Sequence, residues 1–496
     1  PGPQVTFSAN PTTITSGTSS TLTWTTSGAT SVSITPAVST AALPVNGSAT
    51  VQPTATTTYS LTATGASGAT TTQTTTVTVN AAPTPSVAPV QHLIIVMMQN
   101  SSFDHMFGTF PNNTLPSPSV NGLDPTNPNF TQIDKAKNSV VPTLLTDPTT
   151  ADVNHGPRQY ALAWDNGKMD KYALTNGDLS MQFYDSTVQG KDTNGNVTGV
   201  NVLWNYAQQF AIADNFFASA MSNEPANILF MVAADPVDST TATSYPQADV
   251  CTPSAQKNSP GTVAPPLSLP NVGDQLTAKG VTWAWMQENF SSKACVGGYV
   301  PQENAFQYFQ TTANGPNVQP FVITDFKAAI ASGTIPNVVW IQPSPANDMH
   351  PGGGSIFNGI SFLDDLVKTL QTSNIWANTA VLVLWDESGG WYDHVSPPQW
   401  TVQQYPLVAP QGGGNLKNMG QLANLGARVP VMLISPLAKK NYVSHAQMDF
   451  VSITRFIQSN WGLGRFTDPE QLNRENLTGD LCDLFDPAQV PCAAPQ

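Results

Sequence analysis

Charged side chains are scarce in this chain of 496 residues. Lys, Arg, Asp and Glu together make up 10% of the sequence, and the formal net charge is −14. The first charged side chain is that of Asp104. Such a surface repels the phosphates of nucleic acids and gains nothing from anionic membranes, so we expect no nucleic-acid partner. The small number of titratable groups suits an acidic extracellular setting.

Long apolar runs and zinc-type cysteine motifs are also missing. No segment approaches the roughly 20 apolar residues of a transmembrane helix, so we expect no integral membrane segment. The four cysteines include no C-x-x-C pair, which argues against a zinc knuckle or a thioredoxin-like site. We expect a secreted, periplasmic or otherwise extracellular protein, and an even number of cysteines on such a chain predicts two disulfides. Pairing by proximity in the sequence gives Cys251–Cys295 and Cys482–Cys492, and four reduced thiols are the alternative. Because the chain starts at Pro1 rather than Met, we expect its N-terminus to have been trimmed.

Residues 1–80 consist mostly of Thr, Ser, Ala, Val and Gly in short alternating runs. Apolar residues at every second position predict half-buried strands, and frequent Gly and Pro between the runs predict a small sandwich with Trp24 and Tyr59 in its core. The alternation argues against a disordered Ser/Thr-rich stalk. The segment resembles bacterial immunoglobulin-like modules. Without His or charge it cannot perform acid–base chemistry, so we expect a spacer or a contact with a surface or polymer.

A Pro-rich stretch, residues 81–90, predicts a linker to a second domain over residues 91–496. In that domain continuous apolar runs predict strands buried on both faces, and they cover residues 92–98, 337–343, 380–386 and 429–435. Helical patterns lie between the runs, for example from Ile360 and from Met448. The alternation predicts an α/β fold with a doubly wound, mostly parallel sheet, in which chemistry is located at the carboxyl ends of strands.

Oxygen-bearing side chains end two of these strands. Asp386 and Glu387 close one apolar run, and two buried carboxylates repel each other and lose hydration, costs that a divalent cation relieves. Gln99 and Asn100 follow another run, and amide oxygens are ligands for hard cations. We therefore predict a metal site of Gln99, Asn100, Asp386 and Glu387. Oxygen ligands favour calcium, magnesium or manganese, whereas iron or zinc would need histidine or more carboxylate.

All histidines of the chain lie in the second domain. Most of them stand beside Asp, Gly or Pro in loop-like contexts, which indicates that some neutralise charge or transfer protons. They are His92, His105, His155, His350, His394 and His445.

Seven segments, collinear over residues 91–490, resemble the bacterial phosphoesterase family. That family contains phospholipases C and secreted acid phosphatases and is related to the alkaline phosphatase superfamily. No single segment is specific, but the ordered set is. The segments are IIVMMQNSSFDHMFGTFP from Ile94, NHGPRQYALAWDNGKMDKY from Asn154, FAIADNFFASAMSNEPANILFMVAA from Phe210, NDMHPGGGS from Asn347, LVLWDESGGWYDHVSPP from Leu382, RVPVMLISPLAKKNYVSHAQMDFVSITRFIQ from Arg428 and DLCDLFD from Asp480.

The resemblance implies a chemistry for the second domain. A hydroxyl group attacks phosphorus while a divalent metal polarises the phosphate and the nucleophile. The implied metal ligands are Asn100, Asp386 and Glu387. Histidines are expected to steady the phosphate and protonate the leaving group, and the residues carried over for these roles are His155, His350 and His394.

Three positions depart from the family pattern, and one of them is Ser388, where the family often has His. The family usually has Glu where this chain has Gln99. Family members also place a Ser or Thr nucleophile three residues before an Asn that matches Asn227, and here that position is Glu224. The nearest hydroxyl is Ser222, two residues earlier.

Three interpretations of this departure stay open. Ser222 is the nucleophile in a shifted loop; or Glu224 replaces the carboxylate lost at Gln99 as a metal ligand, with water or Ser222 attacking; or the chain has lost hydrolysis and only binds ligands. We expect a secreted, metal-dependent hydrolase of small phosphate esters or phospholipid head groups, of the acid phosphatase or phospholipase C type, with an acidic optimum. The competing class is a non-hydrolytic surface or binding protein.

Overall fold

The chain divides into two compact units, Pro1–Val87 and Ala88–Gln496. The computed structural model describes residues 2–15, 19–39, 42–51, 53, 56–80, 88–234, 246, 248–254, 267–399, 425–466, 475 and 478–490. Residues 81–87 of the predicted linker lie outside the described residues. The domain limits 1–80 and 91–496 remain a prediction.

The described part of the N-terminal unit is all β. Its strands form a three-stranded sheet, β1-β3-β5, and a four-stranded sheet, β2-β7-β6-β4. The strands are β1 (Gln4–Asn10), β2 (Thr13–Thr15), β3 (Ser20–Ser27), β4 (Ala29–Thr35), β5 (Gly47–Val51), β6 (Thr57–Gly65) and β7 (Thr70–Asn80). Trp24 and Tyr59 are buried together with Leu22, Leu61 and Ala63, which confirms both aromatic residues as core residues. The immunoglobulin-like type of this unit and its contact with a surface or polymer remain predictions.

The second unit is built on an eight-stranded sheet in the order β18-β17-β19-β8-β20-β21-β15-β22. Five of the seven neighbouring pairs are parallel, and β21 runs antiparallel to both β20 and β15. The predicted mostly parallel α/β sheet is therefore confirmed. Its strands are β8 (His92–Met98), β15 (Ala211–Ala213), β17 (Trp283–Glu288), β18 (Val318–Phe321), β19 (Val338–Gln342), β20 (Thr379–Trp385), β21 (Val431–Ile434) and β22 (Tyr442–Ser444).

Short two-stranded pairs surround the large sheet: β10-β9, β11-β12, β13-β14 and β16-β23. Their strands are β9 (Gln132–Ile133), β10 (Ser139–Val140), β11 (Thr143–Leu144), β12 (Gln182–Phe183), β13 (Gln189–Lys191), β14 (Val197–Gly199), β16 (Phe216–Phe217) and β23 (Met448–Asp449).

Strands β8 and β20 are neighbours near the middle of the sheet. They pair in register from Thr379 and His92 to Trp385 and Met98, and every residue of β20 is buried. Strands covered on both faces need continuous apolar sequence, which is the pattern seen here. Because the two strands end level with each other, the polar residues that follow them leave the sheet at the same edge.

The helices of the second unit carry apolar residues at helical spacing. In α8, Ile356, Ile360, Leu363, Val367 and Leu370 recur every three or four positions and are buried on one side, as expected for an amphipathic helix. The α-helices among the described residues are α1 (Phe103–Phe107), α2 (Pro157–Trp164), α3 (Tyr172–Asn176), α4 (Val200–Gln209), α5 (Glu224–Ala233), α6 (Val272–Lys279), α7 (Ile323–Ser332), α8 (Ile356–Gln371) and α9 (Val451–Trp461).

The predicted disulfide Cys251–Cys295 is present and closes a separation of 44 residues. Cys482 is also disulfide-bonded, and its predicted partner, Cys492, lies outside the described residues. Within the described part of the chain, every helix is too short or too polar to cross a membrane.

Trp24→Ala is expected to destabilise the N-terminal unit. It removes a large side chain that is 1% exposed, and truncating a buried aromatic residue costs about 3–5 kcal/mol. Chemical unfolding, followed by the amide signals of this unit, measures the change. Ser67→Ala, in the exposed turn between β6 and β7, is the control and should change stability by less than about 0.5 kcal/mol. Equal stability of the two variants would contradict the core assignment.

Candidate active site

Three carboxylates meet at the carboxyl edge of the sheet. Asp386 and Glu387 follow β20, and Glu224 is the first residue of α5. The three residues each offer one ligand atom, and these atoms lie within 4.8 Å of one another. The backbone N–H of Asn100, at the end of β8, donates to Oδ1 of Asp386 over 3.1 Å. The sheet therefore holds Asn100 against the cluster, as the strand-end rule predicts.

Glu224 reaches this cluster from the start of a buried helix. Residues Pro225 to Ala233 of α5 are all buried, with Asn223 at the N-cap position and Pro225 in the first turn. Pro is favoured there because its missing N–H would have no helical partner, and a carboxylate in the first turn is stabilised by the helix dipole. The structure thus brings Glu224 to Asp386 and Glu387, which is the arrangement that the second interpretation of the departure requires.

Asn100 connects two histidines to the cluster. Its backbone has a φ of 54°, a left-handed conformation that Asn tolerates better than most residues. Its Nδ2 lies 2.9 Å from Nε2 of His350 and 3.4 Å from Nε2 of His155. With Nδ2 donating to the two rings, its Oδ1 is buried without a hydrogen-bond partner among the described residues.

Both histidines are oriented by backbone carbonyls. Nδ1 of His155 lies 2.6 Å from the carbonyl oxygen of Val153, and Nδ1 of His350 lies 2.6 Å from that of Pro351. A carbonyl only accepts, so each Nδ1 carries the hydrogen and each Nε2 faces the cluster. Nε2 of His155 also lies 3.9 Å from Oε1 of Glu387. The predicted His155 and His350 therefore lie beside the predicted Asn100, Asp386 and Glu387.

Buried oxygens without partners mark the position for a cation. Oδ1 of Asn100, Oδ2 of Asp386 and Oε1 of Glu387 are buried, and none has a hydrogen-bond partner among the described residues. Acceptors that lose water without gaining a donor are costly, and a hard divalent ion satisfies such oxygens. The donor set therefore fits a metal ion held by Asn100, Glu224, Asp386 and Glu387.

The electrostatics of the cluster support the same conclusion. Burial, followed by the charges of Glu387 and Glu224, raises the pKa of Asp386 well above its usual range. Burial and the charge of Glu224 likewise raise the pKa of Glu387. A divalent cation would reverse both shifts because it favours the ionised carboxylates.

Tyr160 fixes the orientation of Glu387. Its hydroxyl, on the buried side of α2, donates to Oε2 of Glu387. This leaves Oε1 as the oxygen free to turn toward the cluster. Tyr160 was not predicted as a site residue: it stands within the segment from Asn154, but no pattern singles it out.

Two glycines allow the close approach of the loops. Gly389 has a φ of 58°, and a Cβ there would lie 2.6 Å from Cβ of Asn100. Gly390 has a φ of 75°, and its Cβ would lie 2.8 Å from the carbonyl oxygen of Asn154. Both the backbone conformation and the space require glycine.

Ser222 and Gln99 are buried near these elements. Ser222 is 1% exposed, and its Oγ has no hydrogen-bond partner among the described residues. Gln99 is 2% exposed, and its backbone N–H donates to the carbonyl oxygen of Asp348. The roles of Ser222 as nucleophile and of Gln99 as ligand remain predictions.

His394 takes part in a different network. Its Nδ1 lies 2.7 Å from Oδ2 of Asp104, and its Nε2 lies 3.0 Å from Oδ1 of Asn121. The buried Arg428 binds Asp104 over 3.1 Å and Asp393 over 2.9 Å. Burial alone would raise the pKa of Asp104, but the charges of His394 and Arg428 lower it. Both ring nitrogens of His394 are thus occupied by contacts outside the carboxylate cluster, and its catalytic role remains a prediction.

A carboxylate cluster at the carboxyl edge of a mostly parallel sheet places this chain among α/β proteins with a candidate catalytic site at the strand ends. The Phosphoesterase family model matches residues 90–464, and the chain belongs to this family.

Curated relatives lie at about one quarter identity. The chain is 25% identical over 448 residues to phospholipase C A of Mycobacterium tuberculosis, covering 83% of this chain and 80% of that protein. It is 24% identical over 430 residues to non-hemolytic phospholipase C of Pseudomonas aeruginosa, covering 80% and 57%. Non-specific phospholipase C3 of Arabidopsis thaliana is 24% identical over 390 residues, covering 73% and 66%.

Similarity to solved structures is weak. The lipoteichoic acid synthase LtaP of Listeria monocytogenes aligns with a TM-score of 0.37 at 8% identity, over 78% of this chain and 75% of that one. A protein in the alkaline phosphatase superfamily from Vibrio parahaemolyticus aligns with a TM-score of 0.34 at 9% identity, over 56% and 63%.

The metal-free protein is expected to lose thermal stability as the pH rises from about 5 to about 8. Asp386 and Glu387 have raised pKa values, and burial raises the pKa of Asp348 to about 8. These three groups bind more protons in the folded state than in the unfolded chain, so stability falls as the protons are released. Buried His105, whose pKa is lowered to about 3, gives the opposite slope below about pH 6.5, but it is one group against three. Carboxyls with lowered pKa values, such as Asp104, are already ionised above about pH 5 and add no slope.

Thermal unfolding of chelator-treated protein, with and without Mn²⁺, measures this effect. Mn²⁺ should raise Tm more at pH 8 than at pH 5, because binding requires ionised carboxylates. Asp386→Asn should reduce both the pH slope and the gain from Mn²⁺. An equal gain at the two pH values would contradict the cluster as the cation site.

Tyr160→Phe is expected to weaken Mn²⁺ binding about 10–100-fold, the usual cost of losing a hydrogen bond that orients a ligand. Calorimetric titration of the metal-free protein with Mn²⁺ gives the change in Kd. The matched control is Tyr206→Phe, which removes a hydroxyl bound to Asp364 on a different surface. Identical Kd values for both variants would show that Glu387 needs no such support.

Proposed function

We propose that the protein is a secreted, metal-dependent hydrolase of phosphoric esters. Its membership of the Phosphoesterase family and its relation to phospholipases C support this reaction class. The observation that carries the metal dependence is the set of buried, unpartnered oxygens of Asn100, Asp386 and Glu387 beside the carboxylate of Glu224. The disulfide Cys251–Cys295 supports an oxidising, extracytoplasmic location.

The bound cation would polarise the phosphoryl oxygens and lower the pKa of the attacking hydroxyl. Asn100, Glu224, Asp386 and Glu387 would hold it. Calcium, magnesium or manganese suits this all-oxygen set.

Ser222 is the proposed nucleophile. Its Oγ is buried without a partner among the described residues, and it precedes the cluster residue Glu224 by two positions. A hydroxyl that attacks phosphorus must give up its proton, and the bound cation would favour this by lowering the pKa of the hydroxyl. In this arrangement Glu224 supplies the negative charge that Gln99 does not, while Ser222 supplies the hydroxyl that Glu224 does not.

His155 and His350 are proposed to contact the phosphate and the leaving group. The carbonyls of Val153 and Pro351 hold Nδ1 of each ring, so each Nε2 is presented toward Asn100. Such a nitrogen can accept a proton and pass it to the departing alkoxide. His394 is bound to Asp104 and Asn121, and we propose that it supports the loop after Asp386.

The substrate type is proposed to be a phospholipid head group or a small phosphate ester. The phospholipase C relatives favour a diester. The resemblance to secreted acid phosphatases favours a monoester. A chromogenic monoester, a chromogenic diester and a phosphocholine lipid, each assayed from acidic to mildly alkaline pH, separate these substrate types.

Ser222→Ala and Asp386→Asn test the assignment. If Ser222 is the nucleophile, its loss should lower kcat by about 10³-fold or more, as for other covalent catalysts. Asp386→Asn should cause a similar loss together with weaker Mn²⁺ binding. Ser332→Ala, at the exposed end of α7, is the control and should retain full activity.

The outcomes distinguish the three interpretations. Full activity of Ser222→Ala with an inactive Asp386→Asn would assign the attack to water. A wild-type protein that binds Mn²⁺ but turns over none of the three substrates, with or without added divalent ions, would favour the non-hydrolytic binding protein.

A further inference from the structure

Two more buried carboxyl groups lie beside the carboxylate cluster. Glu303 is 4% exposed, and Asp348 is fully buried. Among the described residues, neither forms an ion pair with a Lys or Arg side chain. Buried carboxylates are usually paired because isolated charges are costly to bury. These two therefore need another explanation.

The sheet positions these groups one strand away from the proposed metal. Glu303 ends a short 3-10 helix, Pro301–Glu303, after β17. Gln342 ends β19 opposite Gln287 of β17, and the side-chain amide of Gln287 donates to Oε2 of Glu303 over 3.5 Å. Strand β19 pairs with β8, which leads into Asn100, and neighbouring strands are about 5 Å apart. We call Glu303, Gln342 and Asp348 the acceptor pocket.

Direct contacts join the acceptor pocket to the carboxylate cluster. The backbone N–H of Gln99 donates to the carbonyl oxygen of Asp348 over 2.8 Å. The backbone N–H of His350 donates to Oδ1 of Asp348 over 2.7 Å, and the ring of His350 contacts Asn100. Burial, then the charges of Asp348, Glu224 and Asp386, raises the pKa of Glu303 well above its usual range. The two groups of residues therefore share one electrostatic environment.

The acceptor pocket contains buried oxygen atoms that lack hydrogen-bond donors. Oε1 of Gln342 and Oδ2 of Asp348 are buried without a hydrogen-bond partner among the described residues. Gln342 is itself fully buried, and it is paired with Gln287, the residue that donates to Glu303. Two carboxyl groups and an unsatisfied amide oxygen together match a ligand that is positively charged and rich in N–H donors.

We propose that the acceptor pocket binds the primary ammonium group of the substrate's alcohol, so that the preferred substrates are phosphoric esters of a short amino alcohol. This inference rests on the proposed function. A primary ammonium carries three N–H donors for Glu303, Gln342 and Asp348. A quaternary ammonium has no N–H and is recognised instead by aromatic faces. The positive charge also offsets the excess of carboxylates around the metal.

Matched substrates test the proposal on the full-length, Mn²⁺-loaded protein. Ethanolamine phosphate and propyl phosphate differ only by an ammonium in place of a methyl group. Phosphatidylethanolamine and phosphatidylcholine in mixed micelles provide the corresponding diester pair. We expect kcat/KM to favour the primary-amine member of at least one pair by about 10-fold or more, since a buried charge pair in a binding site is worth that much.

Glu303→Gln and Asp348→Asn should bring this ratio close to one. Asp365→Asn, an exposed acid-to-amide change on α8, is the matched control and should keep the wild-type ratio. Thermal unfolding shows whether each variant is folded. If one of the two pocket variants does not fold, the other still tests the proposal. Equal kcat/KM within both wild-type pairs, or an unchanged ratio in both pocket variants, would overturn the proposal.

Two further measurements separate its failure from other causes. Elemental analysis gives the metal content, and loss of a bound metal ion from Glu303→Gln would assign the acceptor pocket to a second cation and overturn the proposal. If the wild-type protein hydrolyses none of these four compounds and neither chromogenic ester, the proposed function fails. Calorimetric binding then decides the inference by itself: tighter binding of ethanolamine phosphate than of propyl phosphate, lost in Glu303→Gln, supports it, and equal binding overturns it.

Discussion

Repulsion among buried carboxylates is the constraint on which this structure depends. Glu224, Asp386 and Glu387 are brought within ligand distance of one another, and Asp386 and Glu387 are buried away from the water that would otherwise solvate them. Uncompensated, this arrangement costs several kcal/mol per ion. It persists because the large sheet has a continuous apolar core on both faces, and this core fixes the positions of the strand ends. The same repulsion favours binding of a cation, because a cation lowers the electrostatic energy of the cluster.

The neighbouring residues serve this constraint in different ways. Tyr160 donates to Glu387, the backbone of Asn100 donates to Asp386, and each donor removes part of the desolvation cost. The start of α5 places its positive dipole end beside Glu224. By contrast, the Arg428 network neutralises Asp104 and Asp393 internally. The chain therefore balances Asp104 and Asp393 with its own guanidinium, whereas the carboxylate cluster has no Lys or Arg partner among the described residues.

The sequence predicted the sheet better than the site. Continuous apolar runs located β8, β19, β20 and β21 to within two residues, because strands buried on both faces tolerate no polar interruption. It did not indicate the antiparallel direction of β21, since a buried run reads the same in either direction. The ends of β8 and β20 predicted Asn100, Asp386 and Glu387 correctly as neighbours. Tyr160 was missed because it reaches Glu387 through a contact between segments distant in sequence, which leaves no periodic signal in the chain.

Relative to the family pattern, this chain lacks a carboxylate at Gln99 and has one at Glu224, and the structure suggests how the two changes are related. A carboxylate at the end of β8 would approach the cation from the sheet, whereas Glu224 approaches it from a helix N-terminus that already favours negative charge. Total ligand charge can thus be conserved while its source moves from strand to helix. If Glu224 is a ligand, as proposed, it occupies the position from which family members deliver their hydroxyl. The attacking group would then come from the preceding turn, where Ser222 lies buried, or from solvent. The proposed site thus explains the departures at Gln99 and Glu224 by one change, the transfer of a carboxylate from the end of a strand to the start of a helix.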